Sequence, residues 1–341
     1  MNPELLAHLS TTISAATHRL FSLRNSTPVG GGSINQAYRL DGTDGSRYFL
    51  KLNGVQHHPM FVAEAKGLDA IAATDTVRVP RPIAHGSSAG QCYLVLEYLE
   101  LGSRGDDRLL GEQLAALHRC TPDDTNALLV TTSSLPPCRG KDRMGVEMRV
   151  NNVSTLPLQA GRSADTASCF GYAQDNFIGT TPQPNAWAND WVAFWREQRL
   201  GFQLRLAAQN GYGGRLQRLG EKLLDALPAF FAGYTPQPSL LHGDLWSGNH
   251  AFLADGTPAL FDAAAYYGDR GCDIAMTELF GGYSADFYAA YRAAYPLDAG
   301  YTKRRDLYNL YHILNHANLF GGSYVHQAEQ MMKKLSACRM G

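Results

Sequence analysis

The chain has 341 residues, 45% of them apolar, and a formal net charge of −1. That length suffices for two lobes around a real core, and the balanced charge argues against the basic stripe of a nucleic-acid-binding protein. No run reaches the roughly 20 apolar residues of a membrane span, and the six cysteines at 92, 120, 138, 169, 272 and 338 show no CxxC spacing, so neither a membrane protein nor a zinc or redox centre is expected.

The N-terminus, MNPELLAHLSTTISAATHRL, is too polar for a signal peptide, and residues 4–21 are predicted as an amphipathic helix. With scattered cysteines, this points to a cytoplasmic protein. Residues 27–53 read as strand, Gly-rich turn, strand, tight turn at DGTDG, and strand. Phe61, Ala65, Leu68 and Ile71 then recur at helical spacing, and QCYLVLEYLEL at 91–101 reads as a buried strand. Helices are predicted over 106–121, 191–210 and 215–231, and mainly helical structure thereafter. The expected fold class is therefore α+β and bilobal, with a small β-rich N-lobe over 1–100 and a larger, mostly helical C-lobe over 101–341. Residues 122–169 lack periodicity and are rich in Ser, Thr, Asn and Pro, so they are read as an insertion.

The chemistry concentrates at LLHGDLWSGNHAFL, residues 240–253. His242, Asp244 and Asn249 give H-x-D-x-x-x-x-N, the catalytic-loop spacing of kinases, and Phe261-Asp262 ends a strand thirteen residues after Asn249. Phosphoryl transfer needs a carboxylate at the attacking hydroxyl, metal ligands, a cation on the phosphates and a backbone cradle. Asp244 suits the first role, as general base. Asn249 and Asp262 offer the hard oxygens that Mg2+ prefers. Lys51, at the end of a strand, with Glu64 on the next helix, fits the phosphate-binding pair. The glycine run that includes Gly31, Gly32 and Ser33 fits a loop over ATP phosphates. Glu97 to Leu99 falls where an adenine-binding hinge should lie. Trp191 and Trp195 read as core packing. Trp246, two residues after Asp244, is a candidate wall of the acceptor pocket, and His316 is either a core histidine or a substrate contact.

Several stretches together resemble the fructosamine kinase (ketosamine-3-kinase) family, within the aminoglycoside phosphotransferase and choline kinase group of the protein-kinase-like fold. They include GGGSINQAYRL at 30–40, FGYAQDNFIGTTPQPNAWANDW at 170–191, HGDLWSGN at 242–249 and LYHILNHANLFGGSY at 310–324. The resemblance implies Mg-ATP-dependent phosphorylation of the sugar 3-hydroxyl of ketosamines, on glycated small amines or glycated lysines of proteins, as a step in deglycation. It carries over Asp244 as base, Asn249 and Asp262 as metal ligands, and Lys51 and Glu64 as the phosphate-binding pair. Asp175, in the 170–191 stretch, joins Trp246 and His316 as a candidate substrate residue. Two positions depart from the family pattern: Ala263, where a proline is usual, and Gly271, where an acidic residue is usual. Two readings compete, a kinase of another hydroxylated or amino-sugar acceptor and a non-catalytic ATP-binding regulator. The second predicts loss of Lys51, Asp244, Asn249 or Asp262, and all four are present.

Overall fold

The structure, a computed structural model, describes residues 1–30, 34–124 and 169–337. Gly31, Gly32, Ser33 and all but the ends of the 122–169 segment lie outside the described residues. The N-terminal part is a five-stranded antiparallel sheet in the order β1-β2-β3-β5-β4. Its strands are β1 (Leu23–Val29), β2 (Gln36–Gly42), β3 (Arg47–Gly54), β4 (Pro82–Ser88) and β5 (Gln91–Glu97). The DGTDG segment makes the β2–β3 turn, with Gly45 at φ +84°. Alternation along β3 sorts its side chains between two cores. Leu50 and Leu52 join Leu5, Leu9 and Ile13 of helix α1 (Pro3–Thr17). Phe49 points the other way, with Leu94 and Leu96, toward helix α2 (His58–Ala73). Lys51 shares that second face, which is why a lysine in the middle of a strand meets the helix that carries Glu64.

The rest is mainly helical. Helix α3 (Asp107–Leu117) starts at an Asp106 cap whose carboxylate accepts from the Arg108 and Leu109 N–H groups. A hairpin follows, β6 (Asn176–Ile178) and β7 (Thr181–Gln183), and then α4 (Trp191–Phe194). The continuous helix expected over 191–210 is interrupted: α4 passes through a π-helical stretch, Trp195–Leu200, into α5 (Gly201–Gln209). The widened turn accommodates Arg199, which is wholly buried with its guanidinium 4.0 Å from the Tyr266 ring centroid. Trp191 and Trp195 are buried core residues, whereas Trp187 is 41% exposed and stacks on Tyr267. After α6 (Arg215–Phe230) come four short strands, β8 (Ser239–Leu241), β9 (His250–Phe252), β10 (Pro258–Leu260) and β11 (Tyr266–Gly268). They pair β8 with β11 and β9 with β10. Helices α7 (Gly271–Leu279), α8 (Ala285–Ala294), α9 (Tyr301–Phe320) and α10 (Ser323–Ala337) complete the described chain. None of the described helices is long and apolar enough to cross a membrane.

Two close approaches place the elements around the site. Gly271 opens α7 where a Cβ would lie 2.9 Å from the Tyr308 ring and 3.2 Å from an Asp269 carboxylate oxygen. Its small size, more than its weak helix propensity, is what counts there. Gly111 lets α3 lie against α8, since a Cβ would come within 2.4 Å of the Phe287 carbonyl oxygen. That neighbour is backbone and cannot rotate away. Gly111→Ala is expected to push α3 from α8 and destabilise the protein by about 1–3 kcal/mol, read as a lower denaturant midpoint.

Candidate active site

The site is built from two strand ends. His242 to Asn249 follow β8, and Phe261-Asp262 follow β10. Backbone bonds zip the two segments together: Phe261 N–H donates to the Asn249 carbonyl and Ala264 N–H to the His242 carbonyl, each at 2.9 Å. Gly243 sits at φ +84°, and a Cβ there would meet the Ala264 oxygen at 2.2 Å, so only glycine fits. The Ala264–His242 bond spans the turn that contains Ala263, which is buried.

Beneath this junction lies Asp273 of α7, 1% exposed. One carboxylate oxygen accepts from the His242 N–H at 2.7 Å and the other from the Gly243 N–H at 2.9 Å. His118, at the end of α3, donates from Nε2 to the same carboxylate at 3.2 Å and accepts at Nδ1 from the Tyr291 hydroxyl at 2.8 Å. Burial would raise the Asp273 pKa, but His118, His242 and the Gly243 N–H more than offset it, and the net shift is downward. His242 itself donates from Nε2 to the Phe261 carbonyl at 2.7 Å and accepts at Nδ1 from the Asp244 N–H at 3.3 Å, the pattern of a neutral ring. Burial lowers the pKa of both histidines.

Asp244 faces a cleft of about 1050 Å³ between the sheet and the helices. Asn249 Nδ2 donates to the Asp244 main-chain oxygen at 2.8 Å and to its carboxylate at 3.3 Å, leaving Asn249 Oδ1 for another partner. Burial first, then the carboxylates of Asp262 and Asp273, push the Asp244 pKa up to about 7. Lys51 Nζ lies 2.6 Å from Glu64 and 2.5 Å from Asp262. Burial alone would lower the lysine pKa; the two carboxylates reverse this and hold it raised and charged. The Asp262 side chain is half exposed to the cleft, and its backbone is left-handed at φ 56°.

Lys51, Glu64, Glu97, Leu99, Asp244, Trp246, Asn249, Asp262 and His316 all line this one cleft. Glu97 pairs through its side chain with Arg78, and its N–H donates to the Arg81 carbonyl at 2.8 Å. Among the described residues no group accepts from the Leu99 N–H. Trp246 is 39% exposed. His316 stands on the cleft wall, not in the core, and stacks on Tyr324 with ring centroids 5.0 Å apart. Asp175 is not brought to the cleft: it is exposed, and its carboxylate accepts from the Asn185 N–H at 2.8 Å, steadying the segment that follows the β6–β7 hairpin. Gly31, Gly32 and Ser33 lie outside the described residues, although their neighbours Gly30, Ile34 and Asn35 line the cleft. Sequence reasoning missed Asp273 as the anchor of the loop; the one available signal was a carboxylate inside the apolar run GCDIAM.

Comparison with known proteins identifies the family and the fold. The family described as fructosamine kinase matches residues 5–129 and 155–337, which leaves 130–154 as the unmatched internal stretch. A Synechocystis protein named "Probable ketoamine kinase" is 44% identical over 329 residues, covering 96% of this chain and 95% of its own. The chloroplastic protein-ribulosamine 3-kinase of Arabidopsis thaliana is 38% identical over 298 residues, covering 87% and 78%. The crystal structure of a Thermobifida fusca protein provisionally named a fructosamine-3-kinase superposes with a TM-score of 0.71 at 28% identity, covering 97% of this chain and 98% of that one. At 15% identity and a TM-score of 0.54, an aminoglycoside phosphotransferase crystallised with ADP and hygromycin B, matched over 98% and 99% of the two chains, shares the fold alone.

The buried histidines give stability a definite pH dependence. Their folded pKa values lie below the unfolded value near 6.5, so below that pH the unfolded chain takes up protons that the folded chain refuses. Asp244, with its pKa raised to about 7, acts in the opposite sense, so the decisive reading is a difference: between pH 7 and 5 the wild-type thermal midpoint is expected to fall relative to that of His118→Gln. Midpoints that run parallel across that range would contradict the neutral, buried assignment of His118. Asp273→Asn presents an amide nitrogen to donors and is expected to cost about 3 kcal/mol or more, measured by denaturant unfolding.

Proposed function

The chain belongs to the fructosamine kinase family, and from that premise we propose that it transfers the γ-phosphoryl group of ATP to the 3-hydroxyl of ketosamines. The observation that carries the proposal is the convergence in one cleft of a buried lysine–carboxylate pair, a loop aspartate with a raised pKa and two further oxygen ligands.

The cleft suits a magnesium nucleotide on its own chemistry. The unengaged Leu99 N–H is available to an adenine edge. Lys51, kept charged by Glu64, answers phosphate charge. The free Oδ1 of Asn249 and the half-exposed carboxylate of Asp262 are hard oxygens of the kind Mg2+ takes, and the ion, when bound, would offset charge on the phosphates. Asp244 orients the acceptor hydroxyl and receives its proton as the new oxygen–phosphorus bond forms and the β–γ bridge breaks, releasing ADP. A carboxyl that titrates near neutrality is well matched to that exchange. The anchors on Asp273 and Ala264 keep the base in place, so catalysis is chiefly positioning and charge complementarity.

We assign the acceptor side of the cleft to glycated small amines and to glycated lysines at a protein surface. Phosphorylation at the sugar 3-position marks the adduct for removal, a role in deglycation, and the charge and cysteine pattern suit a cytoplasmic setting.

ADP release with Mg-ATP, using ribulosyl-lysine and fructosyl-lysine as acceptors, tests the reading directly. Acceptor-dependent turnover is expected, and Asp244→Asn should lower it by about 10²–10⁴-fold while ATP affinity changes little. Acceptor-independent ADP release, or full turnover in Asp244→Asn, would refute the assignment.

A further inference from the structure

Helix α9 turns one face to the cleft, and exposure rises along it from floor to mouth. His312 is 5% exposed, His316 one turn later is half-buried, and Phe320 a further turn on is 61% exposed. All three line the cleft. The deep end of this face is fixed against the catalytic segment. Tyr311 donates its hydroxyl hydrogen to Gln183 Oε1 at 2.7 Å, and Gln183 Nε2 donates to the Ala264 carbonyl at 3.2 Å, two residues after Asp262. Asn315 Nδ2 donates to the Ile178 carbonyl at 3.3 Å, and His316 Nδ1 donates to the His312 carbonyl at 2.8 Å.

Within this cross-linked wall, the His312 ring is unengaged. It meets Tyr311 edge-on at 5.1 Å, and no described residue hydrogen-bonds either of its nitrogens. The residue is 5% exposed, yet its ring nitrogens are not sealed in protein: they reach the cleft, where an entering group can bond them. Burial, and then His316, press its pKa down to about 3, so the ring is neutral in the working range. A neutral imidazole offers one N–H donor and one bare nitrogen acceptor. That pair complements a hydroxyl, which both donates and accepts. It suits a carboxylate or phosphate poorly, since those require donors only.

We propose that His312 is a specificity-determining residue that hydrogen-bonds a sugar hydroxyl other than the one presented to Asp244, and so selects an uncharged polyol acceptor at the cleft floor. The inference rests on the ketosamine reading above and adds to it a contact by which sugars of different length are told apart.

The test is steady-state kinetics of the full chain, wild type, His312→Leu and His312→Asn, with ribulosyl-lysine and fructosyl-lysine, alongside ATP KM and thermal unfolding. His312→Leu is expected to raise the acceptor KM about tenfold, the scale of one lost neutral hydrogen bond, with ATP KM and the thermal midpoint near wild type. His312→Asn, with one donor and one acceptor on a shorter arm, is expected to recover part of the loss and to change the ratio of kcat/KM for the two sugars. If His312→Leu does not fold, His312→Asn decides alone: an altered sugar ratio at unchanged ATP KM supports the proposal, and an unchanged ratio and acceptor KM overturns it. An acceptor KM unmoved in His312→Leu, or acceptor and ATP KM rising together with a lowered midpoint, also overturns it and makes His312 a core residue. Wild-type protein with no ketosamine-dependent ADP release would instead refute the proposed function, and this inference with it.

Discussion

The catalytic half of the molecule depends on one buried carboxylate. Asp273 takes two successive backbone N–H groups of the loop that bears Asp244, and it can stay ionised inside the protein only because those donors and His118 surround it. Three helices meet there: α3, far upstream in the chain, through His118, α7 through Asp273, and α8 through the hydroxyl of Tyr291. Arg270 extends the chain with an N–H to the same hydroxyl at 3.1 Å. The close seat of α3 against α8 at Gly111 and that of α7 against α9 at Gly271 are the steric conditions under which these polar groups come into reach.

Lys51 makes the complementary connection, from the sheet to the helical part. Its ammonium touches Glu64 in the first and Asp262 in the second. Such a buried ion pair is weak evidence of stability, since desolvating the charges offsets much of their attraction. Its significance is placement: the alternation of β3 turns Lys51 to the cleft, and the two carboxylates keep it charged at a depth where burial alone would favour the neutral amine.

Much of this was legible in the sequence, for reasons that differ by element. The strands and helices announce themselves by period and punctuation, and the spacing of His242, Asp244, Asn249 and Asp262 carries their chemistry, because a short loop between two strands leaves little freedom in where they fall. The anchors were not legible. Asp273 is one acidic residue in a helix, and only the tertiary packing of α3 and α7 shows that it points at the loop backbone. His312 and His316 have the same residue type one turn apart, so pattern cannot rank them; the roll of α9 sets one at the floor and the other midway. The π-helical interruption before Gly201, where Arg199 is buried, is invisible to a 3.6-residue period. The motif makes Asp175 a candidate substrate residue, and its exposed carboxylate accepts from the Asn185 N–H, away from the residues that line the cleft.

The loop that carries Asp244 is secured by its peptide groups, to Asp273, Ala264 and Phe261, and at its two ends by the side chains of His242 and Asn249. Such fastening is indifferent to most of the side chains it carries. The Trp246 ring, 39% exposed beside Asp244, takes no part in those hydrogen bonds. The arrangement separates scaffold from selectivity. Under the proposed function, exchange at Trp246, or along the cleft face of α9, would retune which acceptor is taken while the phosphoryl-transfer machinery stays in register, and that modularity would let a lineage diversify its substrates without first losing its chemistry.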